Sequence, residues 1–143
     1  MRAVLDTATL VAGICSDAGA SRQLLRAALE RRRFTLLVSV PLLIECEAVL
    51  TRAEHLKSAG LAVADIGVLL DALAAVSEPV QLAYLWRPTL RDADDDMVLE
   101  VAVNGRADTI VTFNLRDFSS AAKQFGLSIL SPGEALMELE KTP

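Results

Sequence analysis

Short runs of uninterrupted apolar residues, each followed by a stretch of helical spacing, constrain this chain more than any other feature. Ala3–Leu5 ahead of Asp6, Thr35–Val38 and Thr109–Thr112 are too short to be helices, and none alternates apolar with polar. A strand of that kind is buried on both faces and belongs in a parallel sheet with helices above and below. Segments at 79–83 and 128–130 supply two more strands. Between them, a loop holding Gly13 and Gly19 leads to a helix capped by Ser21, with Leu24, Leu25, Ala28 and Leu29 on one face. Ser39 caps a helix with Pro41 in its first turn, where a missing N–H does no harm, and Leu42, Leu43, Cys46, Val49 and Leu50 form its buried stripe. Another helix covers 62–76 and turns Ile66, Leu69, Leu70 and Leu73 inward. Asp96 opens a helix that Gly105 stops after Val103; a short helix at 120–124 follows, and a last one begins at Ser131 and Pro132. The expectation is one α/β domain over residues 1–143, with a central parallel sheet of about five strands flanked by helices on both faces.

At 143 residues and 52% hydrophobic, the chain can bury one substantial core and is too short for two ordinary domains. Only 4% of it is aromatic, so that core is aliphatic. No apolar run reaches the roughly 18–20 residues needed to span a bilayer, and no basic segment precedes a signal-like stretch, so a cytoplasmic protein away from membranes is expected. Cys15 and Cys46 form no CxxC pair, and with His55 as the single histidine there is no zinc-ligand spacing. Both thiols are expected to be buried and reduced, and His55, in a polar stretch, to be a solvated surface residue rather than a base. The formal charge of −5 and pI of about 4.8 argue against a broad basic surface for nucleic acid. Arg22, Arg26, Arg31, Arg32, Arg33 and Arg52 are either a solvated helix face or a local contact for phosphates.

Acids placed against apolar runs carry the functional reading. Asp6 ends the first strand, Glu45 interrupts an apolar helix, Asp117 follows the fourth strand, and Asp92, Asp94, Asp95 and Asp96 precede Met97-Val98-Leu99. A carboxylate beside a core element is costly to desolvate unless a proton, a hydrogen bond or a cation meets it. In open parallel sheets, sites form beyond the carboxyl ends of the strands, where Asp6, Asn114 and Asp117 fall. Two carboxylates ~5 Å apart repel by roughly 3 kcal/mol at an effective dielectric of 20, and a divalent cation resolves the conflict. Oxygen-only ligands select a hard ion, Mg²⁺ or Mn²⁺, suited to hydrolysis of a phosphodiester. Each acid also has a bland reading. Asp6 could cap a turn through its side chain; Asp94, Asp95 and Asp96 suit an N-cap and first turn; Glu45 and Glu47 flank their stripe from opposite sides; Asp117 and Asn114 suit a loop.

The order of these segments resembles the PIN-domain nucleases, particularly the toxin components of toxin-antitoxin modules related to the VapC group. It rests on Val4-Leu5-Asp6-Thr7; on Val38-Ser39-Val40-Pro41-Leu42-Leu43-Ile44-Glu45 with Val49-Leu50-Thr51-Arg52; on Trp86-Arg87-Pro88 with Leu90-Arg91-Asp92-Ala93-Asp94-Asp95-Asp96; and on Ile110-Val111-Thr112-Phe113-Asn114-Leu115-Arg116-Asp117-Phe118. The resemblance implies a Mg²⁺- or Mn²⁺-dependent endoribonuclease acting on RNA, with Asp6, Glu45 and Asp96 as its first three acids, and it favours Glu45 over Glu47. In many relatives the fourth acid stands where this chain has Asn114, and Asp117 is the carboxylate that could replace it. The metal would then sit on Asp6, Asp96 and Asp117, with Asn114 and Asp92 as secondary candidates. Ala8 also departs from the Asn that relatives commonly place there. The resemblance further implies a homodimer and a cognate antitoxin that blocks the acidic cleft. Tyr84 and Trp86 either stack on an RNA base or cover the sheet edge. Ala8 and Asn114 motivate the alternative, a decayed PIN-like binding module that pairs with an antitoxin or holds RNA uncut. A haloacid-type phosphatase is disfavoured by Ala8, which stands where its second Asp is expected, and nucleotide-binding enzymes by the lack of a Gly-rich phosphate loop.

Overall fold

The computed structural model describes residues 1–31, 33–83 and 93–141. Their strands are β1 (Arg2–Leu5), β2 (Thr35–Val38), β3 (Glu78–Pro79), β4 (Thr109–Val111) and β5 (Ser128–Leu130). They form one five-stranded sheet in the order β3-β2-β1-β4-β5, every pairing parallel. The central strand β1 pairs Ala3 with Leu36 on one side and Ala3, Val4 and Leu5 with Thr109, Ile110 and Val111 on the other. Ala3, Val4, Leu37 and Ile110 have no exposed surface, as expected for strands covered on both faces.

Among the described residues, eight helices lie between and after the strands. They are α1 (Thr7–Cys15), α2 (Ala20–Arg26), α3 (Val40–Leu50), α4 (Ala53–Ala59), α5 (Val63–Val76), α6 (Ala93–Asn104), α7 (Ser119–Phe125) and α8 (Pro132–Lys141), with a π-helical turn at Ala27–Arg31 and a 3₁₀ turn at Leu115–Phe118. The chain moves outward from β1 to β3, then returns past β1 to β4 and β5. Right-handed crossovers therefore put the connections of the two halves on opposite faces of the sheet. Helix α6 packs on β1, β2 and β4, and Val98, Leu99 and Val101 lose all exposure there. Among the described residues, Phe118 is the largest fully buried side chain. No single helix among the described residues is long and apolar enough to cross a membrane.

Several local expectations are corrected. The segment read as a loop with Gly13 is helix α1, and Gly13 is there for space: a Cβ on it would lie 2.5 Å from Leu25 Cδ1. Gly19, not Ser21, caps α2, and Ser21 is buried within the helix. Strand β3 comes earlier and is only two residues long; Pro79 is tolerated on this edge strand, and the next amide, Val80, donates to Val38 O at 2.7 Å. Helix α4 was not anticipated. Cys15 is exposed rather than buried, since it closes α1 on the solvent side. His55 is half-buried, its Nδ1 2.8 Å from Val49 O. The capping assignments at Ser39 and Ser131 hold: Ser39 Oγ accepts from Leu42 N at 3.2 Å, and Ser131 and Glu134 exchange backbone N–H bonds with each other's side chains.

Helix α6 ends differently from the sequence expectation. Ala107 N donates to Ala102 O at 2.9 Å and Arg106 N to Val103 O at 3.3 Å, so Arg106, at φ 53°, occupies the left-handed position that Gly105 was expected to fill. Gly105 is needed for close approach instead. A Cβ there would meet Val80 Cγ2 at 2.8 Å, Val101 O at 2.9 Å and Leu37 Cδ1 at 3.0 Å. Gly105→Ala is expected to lower stability by about 1–3 kcal/mol through overpacking, read as a shift of the urea midpoint without a change in slope.

Candidate active site at the carboxyl end of the sheet

The chain reverses its direction of travel across the sheet between β1 and β4, and Asp6 and Thr112 are the residues that leave those two strands. Such a switch point is where open parallel sheets leave a crevice. Asp6 N donates to Val111 O at 3.0 Å, and Thr9, fully buried, adds its hydroxyl to the same carbonyl at 3.3 Å. Asp6 stands at the N-cap position of α1, and its main-chain oxygen accepts from Thr9 N and Leu10 N. Its side chain does not cap the helix. Oδ2 instead accepts the Thr112 hydroxyl at 2.8 Å, and Oδ1 lies 3.4 Å from Thr7 Oγ1. The bland reading of Asp6 as a side-chain cap is thereby excluded. Thr112 also accepts from Asn114 N at 3.0 Å, so one hydroxyl couples the Asp6 carboxylate to the backbone after β4.

Glu45 is half-buried on α3 while Glu47 is exposed, which resolves the choice that helical spacing left open. Cys46 ties Glu45 to Asp6. Its thiol is 3% exposed, and burial followed by the negative charges of Asp6 and then Glu45 pushes it up to about 12. Both carboxylates thus act on one buried group. Helix α6 begins at Ala93, earlier than expected, and ends shortly before β4, so it runs antiparallel to the strands and presents its first turn at their carboxyl ends. That turn carries Asp96, 2% exposed, and Asp95, 6% exposed. Asp95 lies in a first turn, as expected, and is buried there; the helix N-terminus favours both charges.

Glu100, one turn beyond Asp96 and fully buried, was not anticipated, nor was the role of Thr112. Glu100 interrupts the apolar run Met97-Val98-Leu99 and Val101-Ala102-Val103, the signal that marked Asp6. Asp117 is exposed on the 3₁₀ turn, its N–H donating to Asn114 O at 3.2 Å. Asp92, Tyr84, Trp86, Arg87, Arg91 and Arg32 lie outside the described residues, as do the side chains of Asp94 and Arg31. Among the described residues no three Asp, Glu, His or Cys side chains come together as a metal-ligand set. By donor chemistry, the buried oxygens of Asp6 and Asp96 suit a hard divalent ion.

A family model described as PIN domain matches residues 2–116. The chain belongs to the PIN-domain family. PIN domains are typically nucleases. Among solved structures, this PIN domain resembles VapBC2 from Rickettsia felis bound to a DNA fragment from their promoter, with a TM-score of 0.61 at 17% identity over 92% of this chain and 98% of that one. At that identity the likeness is one of fold. No curated protein matches the chain. The match to the PIN-domain model takes in Asp6, Glu45, Asp96 and Asn114 and stops one residue short of Asp117.

Two outcomes follow for this PIN domain. Thr112→Val removes a donor from a buried carboxylate and is expected to cost about 1.5–3 kcal/mol in chemical denaturation, whereas Thr112→Ser retains most of the stability. The folded state holds the Cys46 proton more tightly than the unfolded chain, whose thiol titrates near its ordinary value of 9.0. Its contribution is therefore complete below pH 9 and falls by roughly 1.4 kcal/mol per pH unit as pH rises toward about 12. Cys46→Ala removes that component from the slope of stability against pH.

Proposed function

We propose that this PIN domain is a Mg²⁺- or Mn²⁺-dependent endoribonuclease, the toxin of a toxin-antitoxin pair. The observation that carries the reading is Asp6: a 4%-exposed carboxylate held by Thr112 across the switch point, at the end of the sheet that also receives the first turn of α6. A structural cap would not need that arrangement. Asp6 and Asp96 would hold the metal, and Asp117, exposed on the turn after β4, is the carboxylate that would supply the charge Asn114 lacks. When bound, the ion lowers the pKa of a water and offsets charge on the phosphodiester. Glu45, half-buried on α3, would orient the attacking water and accept its proton. Thr112 fixes the Asp6 rotamer, and Asn114 and Asp92 are outer-sphere candidates.

An antitoxin partner is inferred from the resemblance to VapC-type toxins, and the likeness in fold to VapBC2 supports it. The acid-lined crevice would attract a basic side chain of an antitoxin, and a homodimer in the cytoplasm completes the reading. A second reading, a binding module that holds RNA or an antitoxin without cutting, is favoured by the absence of a three-residue ligand set among the described residues. Cleavage separates the two. With single-stranded RNA and Mn²⁺, the wild-type chain is expected to cut. The Asp6→Asn, Asp96→Asn double variant should lose more than about a hundredfold in rate, beyond the roughly 10- to 100-fold typical of losing an outer-sphere partner. RNA bound but uncut by the wild type would establish the binding module, and an unimpaired double variant would remove these acids from the mechanism.

A further inference from the structure

Phe113 is 52% exposed, while Phe34 is 8% exposed and Phe118 fully buried. In a chain with so few aromatics, a ring left half in water is a cost without a packing return. Its position is specific. Phe113 directly follows Thr112, whose hydroxyl holds Asp6 at 2.8 Å, so its Cα lies about 3.8 Å from that of Thr112. The backbone on both sides is fixed: Thr112 N donates to Leu130 O at 2.9 Å, Asn114 N donates to Thr112 Oγ1 at 3.0 Å, and the buried Phe118 anchors the turn that follows. The ring is therefore carried on a rigid segment at the rim of the crevice rather than on a free loop.

We propose that Phe113 is a substrate-positioning residue that stacks on the nucleobase beside the scissile phosphodiester of a single-stranded RNA. This rests on the nuclease reading above and adds to it a named contact to the substrate's base. In a duplex the bases stack on one another and offer no face to a side chain; an unpaired strand does, and an aromatic ring accepts any base because every base has a π-face. A net charge of −5 weakens the overall attraction for an RNA backbone, which leaves more of the binding to stacking. A ring on a backbone already held by hydrogen bonds also leaves little main-chain entropy to lose on binding.

The test compares wild type, Phe113→Ala and Phe113→Tyr on a short fluorescein-labelled single-stranded RNA, with KM and kcat in Mn²⁺ and anisotropy without divalent ions. Phe113→Ala is expected to raise KM and weaken binding roughly 5- to 150-fold with little change in kcat, and Phe113→Tyr to restore both. An abasic substitution next to the cleaved bond should weaken binding to wild type but not to Phe113→Ala. If wild type cuts RNA and Phe113→Ala matches it in KM and binding, the stacking role is overturned, including where that variant loses self-association. If wild type neither cuts nor binds RNA, the nuclease reading itself fails.

Discussion

The hydrogen bond from the Thr112 hydroxyl to the Asp6 carboxylate is the contact on which the rest of the site depends. It joins the residues leaving β1 and β4, the two strands between which the chain reverses direction, and it does so with Asp6 only 4% exposed. A carboxylate at that depth is tolerated because donors meet it, and a hydrogen bond to a charged group contributes about 1.5–3 kcal/mol. The same hydroxyl takes the Asn114 amide, so the geometry of Asp6 and the path of the chain toward Asp117 are set together. Ordering the acid and ordering the loop are one event.

Around that contact, the fold delivers acids to one end of the sheet by direction alone. Helix α3 leaves the carboxyl end of β2 and carries Glu45; α6 runs back against the strands and brings Asp95 and Asp96 in its first turn. Burial first, and then the charges of Asp6 and Glu45, disfavour ionisation of the Cys46 thiol between them. Buried Glu100, below Asp96 on α6, extends the acidic side of this helix into the core.

Much of the sheet was legible because its strands are continuous apolar runs, and a pattern buried on both faces admits few architectures. What failed to read was local. Gly13 and Gly105 looked like chain breakers, yet both serve close packing, against Leu25 and against Val80 and Leu37, and close approach leaves no trace in a single sequence. Strand β3, two residues ending in Pro79, is held by pairing with β2 rather than by its own propensity. In the site, Asp6 was recognisable as a carboxylate closing an apolar run. Thr112 was not, since a threonine ending a strand is common, and only the register that sets β4 beside β1 shows what its hydroxyl meets.

The central claim is that Asp6 and Asp96 present their buried oxygens to one divalent cation. Anomalous diffraction from crystals soaked in Mn²⁺ tests it most directly. The account predicts a single strong manganese peak bonded to a carboxylate oxygen of each residue. A peak at neither carboxylate, or one held by surface acids remote from the β1–β4 crevice, would contradict it.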